Sequence, residues 1–153
     1  MKKSMTSWLL PDVNVWLALS IADHVHSDDA WRWLKILQPD AKLVLSRYTQ
    51  LGILRLLTNP SVTGTPPLTL RKAWEVYDRW AQDPRVEFYP EPRNVDAEFR
   101  QATRHLAAQA APKSIGDCWL VAFASGVQAT LVTFDRTLYG MAQKQGHPAV
   151  LPV

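Results

Sequence analysis

A chain of 153 residues with 47% hydrophobic and 20% charged side chains has the length of a single domain and can bury a core without cross-links. Its one cysteine, Cys118, excludes an intrachain disulfide and any multi-cysteine zinc centre. Seventeen Lys and Arg against fourteen Asp and Glu give +3, a slight lean toward an anionic partner, and no block of like charge marks a dense nucleic-acid patch.

The beginning Met1-Lys2-Lys3, followed by apolar residues and Ser20-Ile21-Ala22, superficially resembles a secretory leader. Pro11, Asp12 and Asn14 interrupt its apolar run and leave only residues 15–22, too short for a membrane span. The cytoplasm is the expected compartment.

Trp8-Leu9-Leu10, stopped by Pro11-Asp12, predicts a buried strand with a carboxylate at its end. Asn14 is expected to cap a short helix reaching Leu19. Ser27 then caps a helix with Asp28 and Asp29 in its first turn and Ala30, Trp33, Leu34 and Leu37 at helical spacing, ending at Pro39. Leu43-Val44-Leu45 reads as a second strand, and residues 50–57 as a helix closed by Asn59-Pro60. Residues 61–67 read as a loop, and Thr69 caps a helix whose apolar face is Leu70, Ala73, Trp74, Tyr77 and Ala81.

Val86-Glu87-Phe88-Tyr89 alternates as a strand nearer a sheet edge does. Val95, Phe99, Ala102 and Leu106 trace a longer helix; a buried one follows from Ile115 to Ser125, with Gly126 as its stop. Residues 130–134 form the clearest strand, ending at Asp135. Residues 138–145 make the last helix and Val150-Leu151 the last strand. Alternating strands and helices indicate an α/β domain around a mainly parallel sheet, in which ligands bind beyond the carboxyl ends of the strands where strand order reverses.

Asp12 and Asp135 both stand at such ends, and Asp117 opens the buried helix that feeds the strand leading to Asp135. Three carboxylates brought together without Lys or Arg beside them repel one another, and a divalent cation is the simple remedy; oxygen-only ligands suit Mg²⁺ or Mn²⁺. Each acid taken singly also reads as a helix cap or a first-turn charge.

The blocks Leu10-Pro11-Asp12-Val13-Asn14, Thr49-Gln50-Leu51-Gly52 continuing to Asn59-Pro60, Gly116-Asp117-Cys118-Trp119 and Thr130-Leu131-Val132-Thr133-Phe134-Asp135 resemble, in order and spacing, the successive motifs of PIN domains. The resemblance is nearest to the VapC branch, ribonuclease toxins of type II toxin–antitoxin pairs. It implies a three-layer α/β/α fold and an acidic pocket that binds Mg²⁺ or Mn²⁺ and hydrolyses RNA phosphodiesters. Asp12, Asp117 and Asp135 would be the metal-binding acids, with Thr133 the hydroxyl partner of Asp135. The implied partners are an RNA substrate (tRNA, rRNA or mRNA), a cognate VapB-like antitoxin and a second copy of the chain. One position departs from the pattern: Gln50 stands where PIN domains usually carry a glutamate, so it brings an amide oxygen and no charge.

Secondary residues keep two readings. Asn14 either orients Asp12 or caps its helix; Gln50 touches either a metal-bound water or only a neighbouring side chain. His24 and His26 lie in a loop near the expected mouth, as RNA contacts or bystanders. Arg47, Arg55, Lys113 and Arg136 flank the motifs as phosphate contacts or solvated surface. Trp31, Trp33, Trp74, Trp80 and Trp119 suit core or interface packing, and Cys118 a small buried hydrophobe. The rival functions are a haloacid-dehalogenase-type phosphatase built on Asp12 and Asn14, and a non-catalytic PIN domain that binds RNA or a protein. A nucleotide-binding module is disfavoured, because no glycine-rich phosphate loop follows any strand.

Overall fold

Two apolar faces per strand, out of phase by one residue, organise the chain. In the computed structural model residues 7–64 and 66–153 are described; the basic start Met1-Lys2-Lys3 and Thr65 lie outside the described residues. The strands β1 (Trp8–Pro11), β2 (Lys42–Leu45), β3 (Val86–Phe88), β4 (Thr130–Val132) and β5 (Ala149–Val150) form one sheet in the order β3-β2-β1-β4-β5. Every pairing in it is parallel.

Leu9, Leu43 and Leu45 point to one face, where they pack with Val15, Trp16, Trp33, Ile53 and Tyr77. Leu10, Val44 and Leu131 point to the other, against Leu120, Val121, Phe123 and Leu138. Side chains alternate across a strand, so a run apolar at every position is buried on both sides and sits in the middle of a layered fold. The first layer is α1 (Val13–Ser20), α2 (Ser27–Ile36), α3 (Arg47–Leu57) and α5 (Leu70–Ala81), with the single turn α4 (Pro60–Thr63) between the last two. The other is α7 (Ile115–Val127) and α8 (Arg136–Lys144), with α6 (Val95–Thr103) packed on α7 through Ala102, Cys118 and Ala122. The expected α/β/α architecture around a parallel sheet is the one found.

Several boundaries differ from the sequence-based expectation, three of them because a side chain caps elsewhere. Helix α1 starts one residue before Asn14, and Asp12 is its cap, accepting from the Val15 amide. Helix α2 is entered through His26, and Ser27 lies inside it, buried and without a capping bond. Helix α3 begins at Arg47 rather than Gln50, because Ser46 at the end of β2 accepts from the Thr49 amide. Part of the expected 61–67 loop is the turn α4, capped by Asn59. Gly126 does not stop α7: the helix continues to Val127 and ends at Gln128 in the left-handed conformation, φ 57°. Gly126 serves close packing instead, since a Cβ there would stand 2.6 Å from Pro92 Cγ. Strand β4 ends at Val132, and Phe134 leaves the sheet to stack on the His26 ring, centres 4.3 Å apart.

The Ser46 cap is wholly buried, and its hydroxyl also meets the Thr49 hydroxyl at 2.9 Å. Ser46→Ala is therefore expected to lower stability by about 1–2 kcal/mol in urea denaturation, the upper range for a lost N-cap.

The sheet order also places the functional crevice. From β1 the chain moves outward to β2 and β3, then returns to the other side of β1 for β4 and β5. Strand order therefore reverses between β1 and β4, and the open crevice lies at their carboxyl ends. Those ends carry Asp12 and the Thr133–Asp135 segment.

Candidate active site

Asp12 is held by local geometry. The residue after a parallel strand must turn into a helix, and its carboxylate satisfies one of the amides that the first helical turn leaves unpaired. Oδ1 accepts from the Val15 amide at 3.2 Å and Oδ2 from the Thr133 hydroxyl at 2.5 Å. The side chain is only 4% exposed. Burial pushes its pKa from 3.8 up to about 6, the Asp135 charge adds to the rise, and the bonds from Thr133, Val15 and Asn14 oppose it.

Thr133, fully buried, is a hinge between two acids rather than the partner of one. Its hydroxyl donates to Asp12 and accepts from the Asp135 backbone amide at 2.9 Å. Asp135 caps α8, with Oδ1 accepting from Thr137 at 2.8 Å and Leu138 at 3.3 Å. Asp117, in the first turn of α7, is partly buried, and burial and then the Asp135 charge push its pKa upward. Asp135 thus acts electrostatically on both other acids and links them into one candidate site. None of them forms an ion pair among the described residues.

Thr133→Val keeps the shape and removes both bonds. Leaving a buried carboxylate short of a donor costs roughly 1–3 kcal/mol. The loss should be larger at neutral pH than at acid pH, because the missing bond favours the charged form of Asp12. Guanidinium denaturation at both pH values checks this.

Gln50 meets neighbouring side chains. It is buried, its Oε1 accepts from Arg47 Nη1, and it also hydrogen-bonds Tyr77. Contact with a neighbouring side chain, one of the two readings of Gln50, is present. Asn14 contributes its backbone amide to Asp12 and is not the cap. His24 Nδ1 accepts from the His26 amide, and His26 stacks on Phe134, so both rings are tied to the protein. Tyr48 and Trp119 make a second aromatic contact beside Asp117, centres 5.0 Å apart. The Tyr48 hydroxyl lies against the position a Cβ at Gly116 would take, so a larger residue there would require the Tyr48 side chain to shift. Ser46 and Tyr77 were missed in the sequence; Ser46-x-x-Thr49 directly after an apolar run was the signal for the first, and nothing local marks the second.

Among the described residues, no three His, Cys, Asp or Glu side chains close on one point as a ready cation cage. The donor set nevertheless suits Mg²⁺ or Mn²⁺, which take one or two carboxylates and fill the remaining positions with water and substrate oxygens. An unpaired, nearly buried carboxylate whose charge is disfavoured is the kind of group a cation stabilises. Asp12 with Asp117 or Asp135 could supply the direct ligands. The larger cavities, about 390 and 470 Å³, are lined by α6, α7, α8 and their connections, and neither contains an acid of the trio.

The chain is 38% identical over 138 residues to Ribonuclease VapC41 of Mycobacterium tuberculosis, covering 86% of this chain and 93% of that protein. In fold it resembles VapBC2 from Rickettsia felis bound to a DNA fragment from their promoter, TM-score 0.70 at 12% identity over 94% of this chain and 98% of that one. It also resembles VapBC-1 from nontypeable Haemophilus influenzae, TM-score 0.69 at 14% identity over 95% and 98% of the two chains. No helix among the described residues is long and apolar enough to cross a membrane. The PIN domain family matches residues 9–144, a range that contains Asp12, Asp117 and Asp135, and the chain therefore belongs to the PIN domain family.

Proposed function

We propose that this chain is a metal-dependent endoribonuclease of the VapC type, a toxin restrained by a cognate antitoxin. The observation that carries this reading is the placement of Asp135 within electrostatic reach of both buried Asp12 and Asp117, with Asp12 at the β1/β4 crevice, in a chain 38% identical to a ribonuclease over 86% of its length.

Asp12, Asp117 and Asp135 would hold Mg²⁺ or Mn²⁺. When bound, the cation supplies charge against the phosphodiester and makes water a better nucleophile. The protein supplies placement. Thr133 locks Asp12 and the Asp135 backbone to each other, and the caps of α1 and α8 fix both carboxylates on rigid elements. Burial keeps Asp12 poorly compensated until a cation arrives.

The test is cleavage of a structured RNA in Mg²⁺ or Mn²⁺, compared with EDTA and with Asp12→Ala and Asp117→Ala. Expected products end in a 3′-hydroxyl and a 5′-phosphate. A cyclic 2′,3′-phosphate would signal attack by the RNA's own 2′-hydroxyl and contradict this scheme. The antitoxin is expected to block the pocket by presenting a basic side chain to the acids, and the chain to run as a homodimer in light scattering. A second reading, a PIN domain that binds RNA without cutting it, draws on the engagement of Gln50 by Arg47; RNA binding without metal-dependent cleavage would establish it.

A further inference from the structure

Arg47 opens α3 at the end of β2, the neighbour of β1 in the sheet. Leu9 pairs with Leu43, so Asp12 lies level with Ser46 and Arg47 stands on the same strand-end rim as the acids. Its guanidinium is fixed on two sides. Nη1 donates to Gln50, and the guanidinium carbon lies 4.8 Å from the centre of the Phe88 ring at the end of β3. Gln50 is itself buried and anchored to Tyr77, so the holder is rigid.

Both holders are neutral. Arg32, Arg85 and Arg100 are each matched by an aspartate, whereas Arg47 forms no ion pair among the described residues and is exposed. An amide and an aromatic face order the side chain without cancelling its charge, and most of the guanidinium donor fork stays available for an anion. Three carboxylates on this rim repel an RNA strand; a fixed cation at the adjacent strand end offsets that repulsion where the strand must lie.

Resting on the ribonuclease reading, we propose that Arg47 binds an RNA backbone phosphate next to the scissile one, and that Gln50 is a positioning residue that acts through Arg47. The amide at position 50 then has a specific consequence. A glutamate there would pair with Arg47 and withdraw it from the RNA.

The experiment measures binding of a fluorescein-labelled RNA stem–loop to the full chain in EDTA, by anisotropy across a salt series, with folding checked by circular dichroism. Arg47→Ala is expected to weaken binding by up to about tenfold and to lower the salt slope by about one. Arg47→Lys should keep the slope and lose part of the affinity. Gln50→Glu should lower both affinity and slope, although Arg47 is still present. Lys144→Ala, which removes the same charge from the far end of α8, should change neither. Unaltered affinity and slope in folded Arg47→Ala overturn the proposal alone, as does a Gln50→Glu chain that cuts RNA faster in Mg²⁺ with undiminished binding, the result expected of a metal ligand. A parent chain that neither binds nor cuts RNA overturns the ribonuclease reading, and this proposal with it.

Discussion

Asp12→Asn is expected to raise the melting temperature of the metal-free chain above about pH 7 while abolishing RNA cleavage. The folded-state pKa of Asp12 lies near 6 against an ordinary 3.8. Between those values the native state binds the proton and the unfolded chain does not. The stabilisation contributed by Asp12 is therefore fully present below about pH 4 and lost as pH rises through about 6. The rise from 3.8 to about 6 corresponds to roughly 3 kcal/mol at neutral pH. Asparagine removes the buried charge, keeps an oxygen for the Val15 amide, and can donate its own amide to the Thr133 hydroxyl, which has acceptor capacity to spare. A gain of about 1–3 kcal/mol should appear as roughly 2–4 °C per kcal/mol for a chain of this size, and the fall in melting temperature between pH 4 and 7 should flatten. Cleavage should drop by at least about 10²–10³-fold, since in the proposed function a ligand of the cation that would neutralise the reacting phosphate is gone. Unchanged stability together with lost activity would mean that Asp12 is not ionised against a cost in the native state.

Adding Mg²⁺ or Mn²⁺ should produce a comparable stabilisation by a different route. A ligand that binds only the folded chain stabilises it by about 2.7 kcal/mol at a hundred times its dissociation constant. Removing the metal with EDTA should reverse this in a thermal melt. The effect should fade as pH falls below about 6, because the proton on Asp12 competes with the cation. It should be nearly absent in Asp12→Asn, which is already relieved of its charge. An equal metal-induced shift in the parent and in Asp12→Asn would place the cation elsewhere. These two measurements separate a site destabilised in order to bind a metal from acids that merely cap helices. Asp12 and Asp135 each cap the helix that follows their strand, and in the proposed function the same two carboxylates would also hold the cation.

Dual use of this kind explains what the sequence could and could not disclose. That strands end in Asp12 and Asp135 is legible from short apolar runs meeting an acid, because hydrophobic alternation and helix entry are properties of a few adjacent residues. An α/β class with a mainly parallel sheet follows from the same local signals repeated along the chain, whereas the three-layer arrangement and the grouping of the acids were implied only by the resemblance of the motif blocks to PIN domains. Cap assignment was less legible. Asn14, Ser27 and Gly126 are good capping or stopping residues, and in each case a neighbour took the role. Propensity ranks residue types, but at α1 the end of the preceding strand puts Asp12, and not Asn14, within reach of the free amides.

Only the tertiary structure decided the rest. The hydrogen bond from Thr133 to Asp12 joins residues 121 apart in sequence, and it exists because β4 pairs directly with β1 rather than at an edge. The depth of Asp12, and with it the rise of its pKa, is set by both helical layers closing over the sheet. The direction of Gln50 was likewise undetermined: its buried amide must satisfy its polar atoms with whatever packing supplies, here Arg47 and Tyr77 from α3 and α5. Local sequence determined which chemical groups stand at the ends of strands. Long-range strand pairing and burial decided which of them face one another and at what electrostatic cost.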